Sequence, residues 1–311
     1  MVISFLQFSF LNILYVCVRS IWFWGNLKYQ IFPKEYLLAT THTRMLSFPN
    51  AKINLGLNIT EKREDGYHNL ETVFYPIQIK DSVEIVDAET TTCKIYGMDI
   101  PGSAEDNLCL KAYQLLSRDF SLPPQQINLL KHIPVGAGLG GGSADCAFLI
   151  KLLNEKFELG LDVTKMEDYA RKLGADCAFF IQNKPVYAFR KGDEFEDYPV
   201  DLSSWYKILV KPPVHVSTAD AYAHVKPRMP LHSLKESLHL SPAEWKGKIV
   251  NDFEDSVFLK YPQIKVLKEQ LYDLGATFAL MSGSGSSVFA LFPEAVRLPQ
   301  LEKAHQVFYN V

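Results

Sequence analysis

A glycine-rich run that opens directly into a helix pattern, IPVGAGLGGGSADCAFLIKLLNEKF, limits this chain more than any other feature. Gly136, Gly138, Gly140, Gly141 and Gly142 fall within seven residues, and Ala147, Ile150, Leu153 and Phe157 follow at helical spacing. Glycines let a backbone approach a ligand closely, and the free N–H groups and dipole of a helix N-terminus favour an anion. The segment is expected to hold phosphate. A Walker A loop is excluded, because such a loop ends Gly-Lys-Ser/Thr and this one ends Gly142-Ser143-Ala144. Gly136-x-Gly138-x-x-Gly141 does match the dinucleotide fingerprint of an oxidoreductase, with Glu158 or Asp162 about 20 residues on. That match is short, and the strands before it read as antiparallel rather than βαβ. A turn serving only tight helix packing would not need five glycines.

The rest of the chain supplies a context for this loop. Its 311 residues suffice for two domains with their own cores. A net charge of −3 argues against a nucleic-acid partner held by charge. Five cysteines without a Cys-x-x-Cys pair form neither a disulfide framework nor a zinc knuckle, which points to a reducing, cytoplasmic setting. From Ala51, Ile53, Leu55, Leu57 and Ile59 alternate with Lys52, Asn54, Gly56 and Asn58, the pattern of a half-buried strand with an unusual polar face. Further strands are expected at Thr72–Ile79, Ser82–Val86, Ile127–Leu130, Val186–Arg190, Lys207–Val210, Thr277–Met281 and Val288–Phe292. Helices are expected at 105–117, after the glycine loop, at Asp162–Leu173 and at 264–274. Composition shifts near Pro199, so the domains are placed at 46–198 and 199–311.

Residues 1–18 carry no charge, and at 1.5 Å per residue they would nearly span a bilayer. Ser4, Gln7, Ser9 and Asn12 dilute the run, and no signal-peptide cleavage site stands out. Residues 1–45 have a net charge of +3, which leaves −6 on the remainder, and Met45 immediately precedes a clean strand pattern. The apolar extension 1–45 is expected to lie outside the fold and outside the functional site, with translation starting at Met45. A membrane or targeting segment is the alternative.

Pro134-Val135-Gly136-Ala137-Gly138-Leu139-Gly140-Gly141-Gly142-Ser143-Ala144 resembles the ATP loop of the galactokinase, homoserine kinase, mevalonate kinase and phosphomevalonate kinase (GHMP) superfamily. PNAKINLGL resembles its first motif and MSGSGSSVFALF its third. Within the superfamily, Ala51-Lys52-Ile53-Asn54-Leu55, Asp65-Gly66-Tyr67-His68, Glu105-Asp106-Asn107-Leu108 and Leu173-Gly174-Ala175-Asp176 resemble the branch acting on a cytidine diphosphate-linked methylerythritol in the non-mevalonate isoprenoid route. The resemblance runs from about residue 46 to the C-terminus.

It implies an α+β, two-domain GHMP kinase fold, with a ribosomal protein S5 domain 2-like N-terminal domain and a ferredoxin-like C-terminal domain. It also implies ATP as co-substrate, Mg²⁺ on the phosphates, a small-molecule substrate and a monomer or homodimer. By the same resemblance Lys52 and Asp176 are the catalytic pair. Residues 134–144 and Lys131 would hold ATP, with Ser143 capping the helix and its hydroxyl near Mg²⁺ or phosphate. Tyr67 and His68 would recognise cytidine, Asn54 the erythritol hydroxyls, and Thr218 and Tyr222 a hydroxyl and the base. No protein ligand set for a metal is named. Two departures stand out: Ala144 replaces a frequent second Ser, and Ala178 a frequent Pro. The rivals are another GHMP kinase, for mevalonate, homoserine or a sugar, and a dinucleotide-dependent oxidoreductase.

Overall fold

The computed structural model describes residues 44–100, 102 and 104–311. Apart from Arg44 and Met45, the N-terminal extension lies outside the described residues. The chain runs β1 (Met45–Ser47), β2 (Asn50–Lys62), β3 (His68–Lys80), β4 (Ser82–Asp87), β5 (Thr92–Gly97), α1 (Leu108–Phe120), β6 (Gln125–Lys131), α2 (Gly141–Lys156) and α3 (Val163–Arg171). Then follow α4 (Phe179–Gln182), β7 (Val186–Arg190), β8 (Glu194–Asp197), β9 (Tyr206–Lys211), α5 (Thr218–Tyr222) and α6 (Leu234–Leu238). The chain closes with α7 (Phe253–Lys260), α8 (Pro262–Asp273), β10 (Phe278–Met281), β11 (Val288–Phe292), α9 (Pro299–Glu302) and β12 (Gln306–Tyr309).

The strands form three four-stranded sheets, ordered β1-β4-β6-β5, β2-β3-β7-β8 and β10-β11-β9-β12. Most pairs are antiparallel, but β5 and β6 pair in parallel across α1, from Thr92↔Gln126 to Gly97↔Lys131. That corrects the reading of the preceding strands as antiparallel throughout. β5 itself (TCKIYG) escapes the sequence pattern because it is short and only partly buried. Met45 pairs with Ile85 and Arg44 with the Glu84 carboxylate, so the ordered fold takes in both residues.

Local chemistry fixes several boundaries. Asn107 starts α1 by accepting the Cys109 amide, and Asp162 starts α3 by accepting the Lys165 amide. The helix expected at 105–117 therefore begins at Leu108, after a single 3-10 turn at Ala104–Asp106. α1, α2 and α3 pack on β4 and β6 through Leu116, Ile150, Leu153, Ile85 and Ile127. A second cluster joins Ile53 and Leu55 of β2 to Trp245, Phe278 and Phe289, and so welds the N-terminal sheets to the C-terminal one. Burying each such side chain contributes about 1.5–3 kcal/mol. α7 and α8 cover β9–β11 through Val257, Leu267, Leu271, Ile208 and Val210.

β2 departs from its sequence pattern in the most informative way. Both faces are buried, with Lys52, Asn54 and Asn58 as enclosed as the aliphatic residues between them. A buried ammonium needs partners, and their identity defines the site.

Candidate active site

The Lys52 ammonium lies 2.6 Å from Asn54 Oδ1, 3.3 Å from the Gly138 carbonyl oxygen and 3.5 Å from Asp176 Oδ2. It also stands 4.9 Å above the Phe74 ring centroid. Burial pulls the ammonium below the ordinary lysine value, and the Asp176 carboxylate opposes that pull. Asp176 sits in the 3-10 turn Ala175–Cys177, and a third of its side chain faces solvent. The arrangement is a buried cation presenting an accessible carboxylate to a cleft. Asn54 is held in turn: its Nδ2 donates to Thr72 Oγ1 at 2.9 Å, and that hydroxyl donates to the Gly56 carbonyl at 2.6 Å.

The glycine loop runs beside this pair. The Lys52 amide donates to the Leu139 carbonyl at 3.0 Å, tying loop to strand. Gly138 adopts φ +76°, and a Cβ there would lie 1.9 Å from the Ser282 carbonyl oxygen. Only glycine allows that approach. Ser282 Oγ donates to the Gly138 carbonyl at 2.9 Å, and Asn251 Nδ2 donates to the Met281 and Gly283 carbonyls, both at 2.8 Å. The SGSGSS loop is thus clamped onto the glycine-rich loop. α2 starts after Gly140 at φ +69° and receives no side-chain cap. Ser143 is therefore the third residue of the helix, not its cap, because the left-handed Gly140 starts the helix three residues earlier. Ala144, the last residue of the expected loop, is wholly buried in the helix.

Lys131 is placed differently from a free nucleotide ligand. Its ammonium is enclosed, bridging the Asp81 carboxylate and Asp145 Oδ2, the latter at 2.7 Å. Burial pulls Lys131 down, but Asp145 and Asp81 more than offset it. Burial pushes Asp145 up to about 8, against the opposing effect of Lys131. Asp81 Oδ1 also accepts the His132 and Ile133 amides at 2.5 and 2.8 Å. The three residues pin the entry of the loop to the first turns of α2.

The cleft has a volume of about 510 Å³, and residues 133–143, Lys52, Asn54 and Asp176 line it together with Thr218, Tyr222 and Phe253. The His68 ring stacks on the cleft residue Tyr222 with centroids 4.8 Å apart, and Tyr222 meets Phe253 edge-on at 4.7 Å. Burial pulls the His68 imidazole below its ordinary value, so at neutral pH it offers one donor and one acceptor. Tyr67 is exposed at the rim rather than in the wall, with Lys191 Nζ 5.5 Å from its ring centroid. Among the described residues, no group of three His, Cys, Asp or Glu is placed to hold a metal, and no helix is long and apolar enough to cross a membrane.

Residues 107–184 match the family model of the GHMP kinases N terminal domain, and residues 233–310 that of the GHMP kinases C terminal. The chain is 55% identical over 262 residues to a 4-diphosphocytidyl-2-C-methyl-D-erythritol kinase of Bacteroides fragilis, covering 83% of this chain and 96% of that one. It is 52% identical over 268 residues to the enzyme of that name from Bacteroides thetaiotaomicron, covering 85% and 98%. The chain belongs to the 4-diphosphocytidyl-2-C-methyl-D-erythritol kinase family. A solved structure of 4-(cytidine 5'-diphospho)-2C-methyl-D-erythritol kinase superposes with a TM-score of 0.73 at 29% identity, covering 85% of this chain and 98% of that one. A homoserine kinase from Cytophaga hutchinsonii, at 18% identity and a TM-score of 0.62, shares the fold. The α+β, two-domain GHMP kinase architecture is thereby established, and the oxidoreductase reading falls away.

For this kinase family member, several cleft residues escape the sequence reading. Phe74 under the Lys52 ammonium and Thr72 behind Asn54 were legible only as strand residues; the register Asn54↔Phe74 brings them in. Asp81 reads locally as a turn residue. Asn251, Phe253 and Lys191 carry no local signal, since their roles depend on contacts far along the chain.

Proposed function

We propose that this cleft moves the γ-phosphoryl group of ATP to the 2-hydroxyl of 4-diphosphocytidyl-2-C-methyl-D-erythritol, a step of the non-mevalonate isoprenoid pathway. The observation that carries this reading is the Lys52–Asp176 pair, 3.5 Å apart, in a cleft lined also by the glycine loop and by Tyr222, on which His68 stacks. Phosphoryl transfer through a loose transition state needs positioning and charge compensation more than a strong base. Asp176 accepts the proton of the acceptor hydroxyl. Lys52 pairs with that carboxylate and faces the charge on the transferring group. Asn54, with its Oδ1 on Lys52 and one amide N–H on Thr72, has its second amide N–H for an erythritol hydroxyl. His68 offers the cytosine edge its donor and acceptor, and Tyr222 supplies a ring face. Residues 134–143 cradle the ATP phosphates, and Thr218 takes a substrate hydroxyl or phosphate oxygen.

Mg²⁺ usually keeps several waters and binds through few protein oxygens plus substrate phosphates. The Ser143 hydroxyl, which lines the same cleft, fits such a cation as one of its few protein oxygens. When bound it would neutralise phosphate charge. The domain boundary at 198/199 lies between the two matched segments and is retained, as is a cytoplasmic setting. A coupled ADP-release assay with the cytidyl substrate against mevalonate and homoserine tests the proposal. Turnover confined to the cytidyl substrate supports it, and turnover of either other alcohol at comparable kcat/KM refutes it.

A further inference from the structure

Four charged side chains line the cleft among the described residues: Lys52, Lys131, Asp176 and Lys191. Three of them are already balanced. Lys52 faces Asp176, and Lys131 is held between two carboxylates. The Lys131 ammonium is enclosed and matched within this buried group, so it is not free to meet an incoming anion. Lys191 is different. Its side chain is 43% exposed, and its ion pair to Asp193 is long, at 3.8 Å. Asp65, the other carboxylate in its field, is engaged by Arg63 at 2.9 Å.

The position of Lys191 matches a particular part of the substrate. β7 pairs with β3 through Leu70↔Arg190, so the chain leaving β7 at Lys191 runs on toward the level of His68. Its ammonium lies 5.5 Å from the Tyr67 ring centroid, and Lys191 and Gly192 line the cleft with Leu70 and Tyr222. Lys191 thus shares the cleft lining with Tyr222 and Asp176, the residues read here as meeting the cytosine and the acceptor hydroxyl, and the diphosphate joins those two parts of the substrate. Of the four charged side chains that line the cleft, Lys191 is the one least closely partnered by a carboxylate.

We propose that Lys191 is the charge contact for the diphosphate of the nucleoside diphosphate-linked substrate and so selects it over uncharged alcohols. The inference rests on the cytidyl reading of the site. An ammonium in this place attracts the diphosphate from solution and hydrogen-bonds it in the complex. Lys191→Met keeps the apolar stem beside Tyr67 and removes the charge, whereas Lys191→Arg keeps the charge.

Steady-state kinetics in both variants, with each substrate varied at low and at about 0.5 M salt, tests this. Lys191→Met is expected to raise KM for the cytidyl substrate about 10–150-fold, the range for a lost hydrogen bond to a charged group, with the effect absent from KM for ATP. Lys191→Arg is expected to restore most of the loss. In the wild type, salt should raise the cytidyl KM by screening, and Lys191→Met should lose most of that dependence. A cytidyl KM unchanged in Lys191→Met, an equal rise in both KM values, or a failure of Arg to rescue would overturn the inference while leaving the cytidyl reading intact. A wild-type protein that ignores the cytidyl substrate but phosphorylates mevalonate or homoserine would overturn both.

Discussion

Gly138→Ala puts the contact between the two glycine loops to a quantitative test. Gly138 holds φ +76°, a left-handed conformation that costs a residue with a Cβ about 1–2 kcal/mol. The new Cβ would also stand 1.9 Å from the Ser282 carbonyl oxygen and 3.2 Å from the Gly285 amide nitrogen. Both are backbone atoms, so no side chain can swing aside. Relieving the overlap must push the SGSGSS loop away, breaking the Ser282–Gly138 hydrogen bond and tugging on the Asn251 clamp. Overpacking of this kind costs about 1–3 kcal/mol, so the total is about 2–5 kcal/mol. At about 2–4 °C per kcal/mol, the melting temperature should fall by about 4–20 °C. A loop displaced by about 1 Å should also cost turnover on the order of 100-fold. Gly142→Ala is the control, since its Cβ would meet only Leu108 Cδ1 at 4.0 Å and Gly142 lies inside α2, where alanine favours the helix. Differential scanning fluorimetry of both variants decides the matter. A Gly138→Ala protein as stable as wild type, or a Gly142→Ala protein destabilised as strongly, would refute the reasoning.

Other expectations follow from the same geometry. His68→Ala should raise KM for the cytidyl substrate about 5–150-fold, the equivalent of about 1–3 kcal/mol, and leave KM for ATP nearly unchanged; equal losses would refute its role at the base. Burial holds His68 below its ordinary value, so affinity for the cytidyl substrate should fall only as the pH drops below about 6.5, where protonation replaces the acceptor nitrogen by a donor. Asp145 keeps a proton up to about 8 in the folded chain, while an unfolded carboxylate releases it near 4. Its contribution to stability is therefore full below about pH 4 and is lost as pH rises through about 8. Asp145→Asn should flatten the fall in melting temperature between about pH 4 and 8, and an unaltered slope would contradict the assignment.

The glycine loop and the helix it opens are legible in the sequence, but not the way the loop is held. Gly136–Gly142 stand out because no packing role needs so many glycines before a helix. β7 and β11 appear at the expected bounds, since short apolar runs between turn residues leave little choice. Where patterns failed, a long-range contact had decided the outcome. Lys52 and Asn54 alternate with aliphatic residues as a solvated face would, yet the phosphate loop and β3 enclose that face. Ser143 reads as a cap by residue type, but a left-handed Gly140 starts the helix without one. Lys131 precedes the loop as a nucleotide ligand would, but two carboxylates 50 residues before it and 14 after it hold its ammonium. No local pattern could connect Asp81 to Asp145.

The central claim is that Asp176, paired with Lys52, accepts the proton during phosphoryl transfer. Single-turnover measurement of Asp176→Asn, saturated with ATP and the cytidyl substrate, tests it most directly. Asparagine keeps the shape of the side chain and removes both the proton acceptor and the negative partner of Lys52. The rate should fall about 10²–10⁴-fold with both Michaelis constants little changed, and Lys52→Ala combined with Asp176→Asn should be scarcely slower than either alone. An Asp176→Asn protein that keeps more than about a tenth of the wild-type rate, a smaller loss than general-base catalysis typically contributes, would contradict the claim.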